Sequence, residues 1–310
     1  MKHILSIGIL CLLAACSPKE NQKIFVYEGN PLVRNNFTAD PAALVHGDRL
    51  YLYVGHDEYY AGQDTASGGR EFNITEWLCY STTDMKNWTE HGAVLSPADF
   101  KWAVGEAWAS QVIERDGKFY YYTTVQAGEP CVGKAIGVAV SDSPTGPFTD
   151  AIGRPLVTDD MTSNGARGWW NDIDPTVLVE EDGQAWLCWG NGTCFLARLK
   201  PNMTELDGDI AVVDLPEYVE GPWLHVRNGI YYLTYASMGD RLCHGFRYGR
   251  ALDVPGRTDR HGGEQFHHPS GHRGIQREVV PLLPQCRTHI GRPCRCDRPS
   301  FSLCGRVALQ

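Results

Sequence analysis

The sequence predicts an all-β fold of propeller type, because one hairpin pattern occurs four times along the chain. Each copy has an apolar strand, a turn dipeptide that ends in glycine, and an aromatic-rich second strand. The four copies are residues 38–55, 107–124, 172–190 and 219–236. Asp-Gly and Asn-Gly turns between β-rich runs are strong short-range signals for a hairpin. The turn glycines lie 46 to 70 residues apart, which leaves room for one four-stranded sheet per copy, as in the blades of a β-propeller.

Composition and charge agree with this class of fold. At 310 residues the chain is long enough to bury a sizeable core, and 33 glycines with 11% aromatic residues suit an all-β protein with many turns. The formal net charge of −9 argues against a nucleic-acid partner, because phosphate binding requires a basic surface.

The N-terminus has the pattern of a secretory signal. Residues 1–15 combine a short basic start with an apolar run that is too short to span a bilayer as a helix. Cys16 follows Leu-Ala-Ala directly, as in a bacterial lipoprotein signal, so we expect a lipid on Cys16 and a tether over residues 16–27. The protein would then be anchored in the bacterial cell envelope. An ordinary signal peptide with an incidental cysteine is the alternative.

The composition changes abruptly after residue 240. Residues 1–240 hold 16 Lys and Arg against 32 acids, whereas residues 241–310 hold 12 Arg, no Lys and 5 acids. Strand alternation is lost in this tail. We interpret residues 241–310 as an out-of-frame segment, since a shifted reading of residues 263–286 permits a further strand, turn and aromatic strand. A basic tail that binds nucleic acid or metal is the alternative.

Three acidic residues stand at the start of the first strand in three of the copies: Asp40, Asp174 and Glu220. The innermost strands of a propeller converge on one axis, so these carboxyl groups are expected to face a common pocket. Each has a plainer interpretation, because Asp before Pro also favours a turn and Glu220 also suits a solvated bend.

Four short motifs carry a resemblance to a known family. They are Ala39-Asp40-Pro41, Trp108-Ala109, Ile173-Asp174-Pro175 and Glu220-Gly221-Pro222, and they begin the four copies in order. On these motifs, residues 28–240 resemble glycoside hydrolase family 43, the five-bladed β-propeller enzymes that act on arabinose- and xylose-containing polymers. The resemblance implies a five-bladed propeller in which about four blades are encoded and the fifth is disrupted by the altered tail.

The resemblance also implies roles for the three acids in an inverting glycosidase. Asp40 would be the general base and Glu220 the general acid. Asp174 would orient the acid and raise its pKa, since a neighbouring negative charge disfavours ionisation. Inversion requires roughly 6.5–9.5 Å between base and acid, which admits a water molecule.

The expected partner is an arabinose- or xylose-containing oligosaccharide or polysaccharide. Trp108, Trp170 and Phe37 are the candidates for an aromatic surface that binds the sugar. No cofactor is expected to be required and no metal ligand is predicted. Some family members hold an ion such as calcium on the propeller axis, but the histidine that lies near it has no recognisable counterpart in the tail.

The alternatives to an α-L-arabinofuranosidase or β-xylosidase are a non-catalytic carbohydrate-binding propeller and an inactive, truncated glycosidase. A fructan-acting glycosidase ranks lower, because those enzymes place Asn before the first Asp-Pro, where this chain has Ala39. Turnover of an aryl arabinoside or xyloside discriminates between an enzyme and a binding protein.

Overall fold

The computed structural model describes residues 23–58, 74–162, 170–227, 229–237 and 244–248. They form four antiparallel sheets that follow one another along the chain. The predicted signal segment, Cys16 and residues 249–310 of the predicted out-of-frame tail lie outside these ranges.

The first two sheets contain nine strands. The first sheet comprises β1 (Lys23–Val26), β2 (Phe37–His46), β3 (Arg49–Asp57), β4 (Ile74–Thr82) and β5 (Asn87–Leu95), in the order β1-β5-β4-β3-β2. A 3₁₀ turn at Pro97–Asp99 leads to the second sheet. That sheet comprises β6 (Ala103–Arg115), β7 (Lys118–Ala127), β8 (Gly133–Ser141) and β9 (Thr149–Asp150), in chain order.

A short helix, α1 (Asp159–Thr162), precedes the third sheet. The third sheet comprises β10 (Thr176–Val179), β11 (Ala185–Trp189), β12 (Cys194–Leu199) and β13 (Ala211–Val213). The fourth comprises β14 (Tyr218–Arg227), β15 (Ile230–Ser237) and β16 (His244–Tyr248). β16 lies past residue 240, so the fourth sheet continues beyond the point where the composition changes.

The turn dipeptides form the expected hairpins. Asp116 and Gly117 both have positive φ angles, 53° and 75°, and the flanking residues Arg115 and Lys118 are paired. Two consecutive positive φ angles define a type I′ turn, whose twist matches that of antiparallel strands. The sequence signal for this hairpin therefore has a direct backbone cause.

The four sheets are arranged as blades around a common centre. In each sheet the first strand of the hairpin copy lies at an edge: β2, β6, β10 or β14. β6 contacts both β2 and β10, and β10 contacts β14. These edge strands are therefore the inner strands of successive blades, and residues at their starts are brought near one another.

The core consists of apolar layers between neighbouring blades. The first two blades share a cluster that includes Tyr53, Trp77, Val112, Tyr121 and Phe148. The second and third share one that includes Tyr122, Ile136, Val177, Leu187 and Trp189. The third and fourth share one that includes Trp186, Cys188, Leu224, Leu233 and Tyr235. Each interior blade is thus buried on both faces, as in stacked sheets.

Strand β7 shows why the aromatic strands have their sequence. Tyr121 packs towards the first blade and Tyr122 towards the third, and both are fully buried. Successive side chains of a strand point to opposite faces, so adjacent tyrosines pack into two different layers.

No helix within the described part of the chain is long and apolar enough to cross a membrane.

Candidate active site

The inner strands share a local distortion near their starts. A residue in the left-handed backbone region occurs in each blade: Asp40 (φ 51°), Glu106 (φ 54°), Asp174 (φ 59°) and Gly221 (φ 65°). In β2 the pairing with β3 slips by one residue around Asp40, and in β14 the pairing with β15 slips just after Glu220. Bulges of this kind re-aim side chains and are frequent beside active sites. Left-handed residues other than glycine are uncommon, so three acids with this conformation mark the inner strands as functional candidates.

Asp40, Asp174 and Glu220 form one electrostatic cluster. Burial raises the pKa of Asp174 well above its usual range, and the charges of Glu220 and Asp40 raise it further. Burial, followed by the charges of Asp57 and Glu220, raises the pKa of Asp40 to about 6. Burial also raises the pKa of Glu220. Because repulsion between carboxylates is mutual, the cluster favours states in which at least one carboxyl group holds a proton.

Asp40 is surrounded by protein and yet reaches solvent. The residue is exposed at the surface, whereas the protein atoms packed around its carboxyl group are the largest cause of its raised pKa. A carboxyl group in a depression that opens to water has both properties. Such a position suits a base that must accept a proton from an incoming water molecule.

Asp174 is tied to the fourth blade through the backbone. The N–H of Gly221 donates a hydrogen bond to Asp174 Oδ2 at 3.0 Å, and this bond opposes the rise in the pKa of Asp174. Gly221 adopts φ 65°, a conformation that glycine takes without steric cost. The glycine after Glu220 therefore links the carboxyl group of one blade to the acid of the next.

Asn191 holds Glu220 and was not identified from the sequence. Its Nδ2 donates to Glu220 Oε2 at 2.6 Å, which partly offsets the effect of burial on the pKa of Glu220. Two backbone bonds fix this turn: Gly192 N–H to the carbonyl of Val219 at 2.6 Å, and Asn191 N–H to the carbonyl of Asn171 at 3.2 Å. The available signal was the Gly-Asn-Gly turn between β11 and β12, which is one blade before Glu220.

Asp57 is a second residue that the sequence did not single out. It ends β3, and its charge is the second largest cause of the raised pKa of Asp40. Burial raises the pKa of Asp57 itself, and the neighbouring His56 lowers it. His56 Nδ1 lies 3.0 Å from Glu76 Oε1, so a polar group supports the end of this strand. In the sequence, the signal for Asp57 was the pair His56-Asp57 at the end of the second strand of the first copy.

Two of the three predicted sugar-binding aromatic residues lie together. The rings of Trp108 and Trp170 are edge-to-face with centroids 4.8 Å apart. Trp170 directly precedes Asn171, whose carbonyl accepts from the Asn191 backbone, so the pair adjoins the segment that holds Glu220. Phe37 begins β2 and is 78% exposed, three residues before Asp40.

No group of three or more His, Cys, Asp or Glu side chains within the described ranges is arranged to hold a metal ion. The histidine-rich part of the sequence beyond residue 248 lies outside those ranges.

A family model described as Glycosyl hydrolases family 43 matches residues 29–278. An arabinoxylan arabinofuranohydrolase of Bacillus subtilis (strain 168) is 34% identical over 236 residues, which cover 66% of this chain and 44% of the relative. A xylosidase/arabinosidase of Bacteroides ovatus is 31% identical over 258 residues, covering 69% of this chain and 74% of the relative. This chain therefore spans less than half the length of the Bacillus relative.

Solved structures share the fold. An α-L-arabinofuranosidase from Clostridium thermocellum ATCC 27405 superposes with a TM-score of 0.57 at 34% identity, covering 70% of each chain. The structure of RS223-β-xylosidase superposes with a TM-score of 0.60 at 24% identity, covering 70% of this chain and 76% of that one. The predicted fold class is confirmed: the fold is an all-β, five-bladed propeller type, and four of its sheets lie among the described residues.

Proposed function

The chain belongs to family 43 of the glycosyl hydrolases, and from this premise we propose that it hydrolyses α-L-arabinofuranosyl or β-D-xylosyl linkages in plant polysaccharides by an inverting mechanism. The printed activities of its relatives, an arabinoxylan arabinofuranohydrolase and a xylosidase/arabinosidase, support this substrate class. The observation that carries the proposal is the single electrostatic cluster formed by Asp40, Asp174 and Glu220.

In the proposed reaction Asp40 is the general base. Its carboxylate removes a proton from water as the water oxygen attacks the anomeric carbon. The bond from that carbon to the leaving oxygen breaks with its electron pair, and Glu220 donates a proton to the departing oxygen. Water enters on the face opposite the leaving group, so the product has the inverted anomeric configuration.

Asp174 acts on Glu220 in this proposal. A second carboxyl group beside the acid keeps a proton in the pair, because two neighbouring charges repel. The Gly221 N–H bond to Asp174 fixes the distance between this carboxyl group and the backbone of the acid. Asn191 fixes the Glu220 carboxyl group from the other side.

The proposal implies a bell-shaped dependence of kcat/KM on pH. The base must be ionised, so activity rises with pH through the pKa of Asp40, which is about 6. The acid must be protonated, so activity falls when the coupled Asp174–Glu220 pair loses its shared proton. Because the three carboxyl groups interact, a change in the charge of one of them is expected to move the pH limb of another.

The test uses aryl α-L-arabinofuranoside and aryl β-D-xyloside as substrates. We expect turnover of at least one, with the inverted anomer as the first product seen by proton NMR. The Asp40→Asn variant should lose this activity, whereas the control Asp142→Asn, on an exposed ion pair with Lys118, should keep it. A product with retained configuration would contradict the proposal. So would a chain that binds saccharide and turns over neither substrate, both as written and after the proposed reading-frame change near residue 240 has been corrected.

We also propose that Cys16 carries a lipid that anchors the protein in the bacterial cell envelope. The support is the sequence alone, in which Cys16 follows a short apolar run and Leu-Ala-Ala. A buried acyl chain contributes about 0.8 kcal/mol per CH₂ group to membrane binding. Cys16→Ala should therefore move the protein out of the membrane fraction, and unchanged partitioning would refute the anchor.

The tail is the remaining part of the proposal. Residues 241–310 are proposed to include out-of-frame sequence, on the evidence of their arginine-rich, lysine-free composition. Both the family match, which reaches residue 278, and strand β16, which pairs with β15, extend past residue 240, where the composition changes. Resequencing the gene around codons 235–245 is the direct test, and an unaltered reading frame there would exclude the proposal.

A further inference from the structure

Glu106 occupies the position in the second blade that corresponds to the acids of the first and third. Its φ of 54° falls beside those of Asp40 and Asp174, and the strand pairing slips at this residue, between Gly105 and Ala107. The propeller therefore presents a fourth acid at the start of an inner strand. Among the four acids, this carboxylate alone has an ion pair with a cation in the described part of the chain, the Lys134 ammonium.

Lys134 is a buried cation in an aromatic environment. It lies near the start of β8, opposite Gln126 of β7, and its side chain is only 4% exposed. The ammonium is 4.4 Å from the ring centroid of Trp108 and 5.1 Å from that of Trp170. A cation placed within about 6 Å of an indole face is attracted by the ring, most strongly where water is excluded.

The two partners of this ion pair differ in exposure. Glu106 is 49% exposed, so its carboxylate meets solvent while the ammonium lies beneath the rings. Removing a charge from water is costly unless it is paired, so a hidden lysine requires both its carboxylate and its ring contacts. Its position is consequently coupled to that of the two tryptophans.

We propose that Lys134, held by Glu106, is a positioning residue that fixes Trp108 and Trp170 as one wall of the sugar site. This inference rests on the proposed function, because it assigns the wall to the same site as the acids. The link is structural: Trp170 adjoins Asn171, whose carbonyl accepts from the backbone of Asn191, the residue that holds Glu220.

The wall determines which sugar can lie against the site. Two indole rings at an interplanar angle of 89° present one face and one edge, which form a corner instead of a flat platform. A sugar ring resting on one face is therefore bounded by the other ring. If Lys134 were lost, the rings would no longer be held at this angle, and binding would weaken without a change in the acid and base.

The test compares three variants. Lys134→Arg keeps the cation and its ability to stack on rings. The double variant Glu106→Gln/Lys134→Met removes both charges with little change in size, so no buried charge is left unpaired. Trp170→Phe identifies the circular-dichroism band that arises from coupling of the two indoles. Thermal unfolding establishes that each variant is folded before the other readouts are compared.

We expect the double variant to lose the coupled indole band and to raise KM for an aryl arabinofuranoside or xyloside by about tenfold, with kcat changed less than about twofold. Lys134→Arg should restore most of both. The inference would be overturned by an unchanged circular-dichroism band, by an unchanged KM, or by a fall in kcat as large as the rise in KM.

A second readout separates this inference from the proposed function. In a Glu220→Gln background, the affinity for an arabinosylated xylotriose is measured by tryptophan fluorescence, so turnover is not required. We expect the double variant to weaken this binding by about tenfold. If the chain that keeps Glu220 shows no turnover and the double variant still loses affinity, the proposed reaction is refuted and the role of Lys134 is retained. If the chain that keeps Glu220 turns over substrate and the double variant binds with unchanged affinity, only the role of Lys134 is refuted.

Discussion

The second and third blades place an acid at the same kind of backbone position and surround it differently. Glu106 and Asp174 have φ angles of 54° and 59° beside an inner strand. Asp174 accepts a backbone hydrogen bond from Gly221 and faces the charges of Glu220 and Asp40. Glu106 faces the ammonium of Lys134. Equivalent positions in a repeated fold thus differ in their surroundings, because neighbouring strands supply different partners to each acid.

The sharpest way to test this difference is to remove the proposed acid. Glu220→Gln keeps the size of the side chain and cannot donate the required proton. On a natural arabinosyl or xylosyl linkage, kcat should fall by about 10²–10⁴-fold, because general acid catalysis contributes that much. On an aryl glycoside with a good leaving group the loss should be much smaller, since that oxygen departs without full protonation.

The comparison of the two substrates is measured as the ratio of kcat values for variant and parent. A matched control is Glu205→Gln, which removes an exposed acid paired with Lys200. Equal losses on both substrates would show that Glu220 is not the acid.

Removing the residue that holds the acid should have an intermediate effect. Asn191→Ala deletes the 2.6 Å hydrogen bond to Glu220 Oε2 while leaving every carboxyl group in place. Because that bond favours the ionised acid, its loss raises the pKa of Glu220, and the alkaline limb of the pH profile should move to higher pH. Misorientation of the acid should also lower kcat by about tenfold.

The pH profile distinguishes orientation from folding in Asn191→Ala. If the variant loses activity and the alkaline limb of its pH profile does not move, Asn191 only stabilises its turn. Asn202→Ala, in an exposed turn where Nδ2 of Asn202 donates to Glu205, provides the matched control.

The smallest effect is expected from the charge next to the base. The charge of Asp57 raises the pKa of Asp40, so Asp57→Asn should lower that pKa from about 6 and shift the acidic limb to lower pH. Activity near the optimum should change little, because Asp40 is ionised there in both proteins. A shift of the acidic limb to higher pH, or no shift, would contradict the assignment of Asp57 as a neighbour of the base.

The fold and the three acids were accessible from the sequence because both follow from short-range patterns. Asp116-Gly117 favours a type I′ turn by its backbone preferences, and the aromatic run that follows it favours a strand, which the structure shows as β7. The starts of the inner strands could be recognised from the Asp-Pro and Glu-Gly-Pro motifs. These features require knowledge of a few neighbouring residues only.

The supporting residues were not accessible in this way, since their roles arise between blades. Asn191 lies in the third blade and contacts Glu220 of the fourth, and Lys134 reaches two tryptophans that are 62 positions apart in the chain. Glu106 resembles an ordinary strand acid until its φ angle is known. Sequence motifs were sufficient to propose Asp40, Asp174 and Glu220 as the reacting groups, and the structure was needed to find the residues that contact them.

The most direct measurement compares kcat for Asp40→Asn with kcat for the neutral pair Glu106→Gln/Lys134→Met on the same arabinosyl or xylosyl substrate. Both changes neutralise an acid with a left-handed backbone at the start of an inner strand. The account predicts that Asp40→Asn lowers kcat by at least about 10²-fold, whereas the neutral pair leaves kcat within about twofold. Similar losses in the two proteins, or a larger loss in the neutral pair, would contradict it.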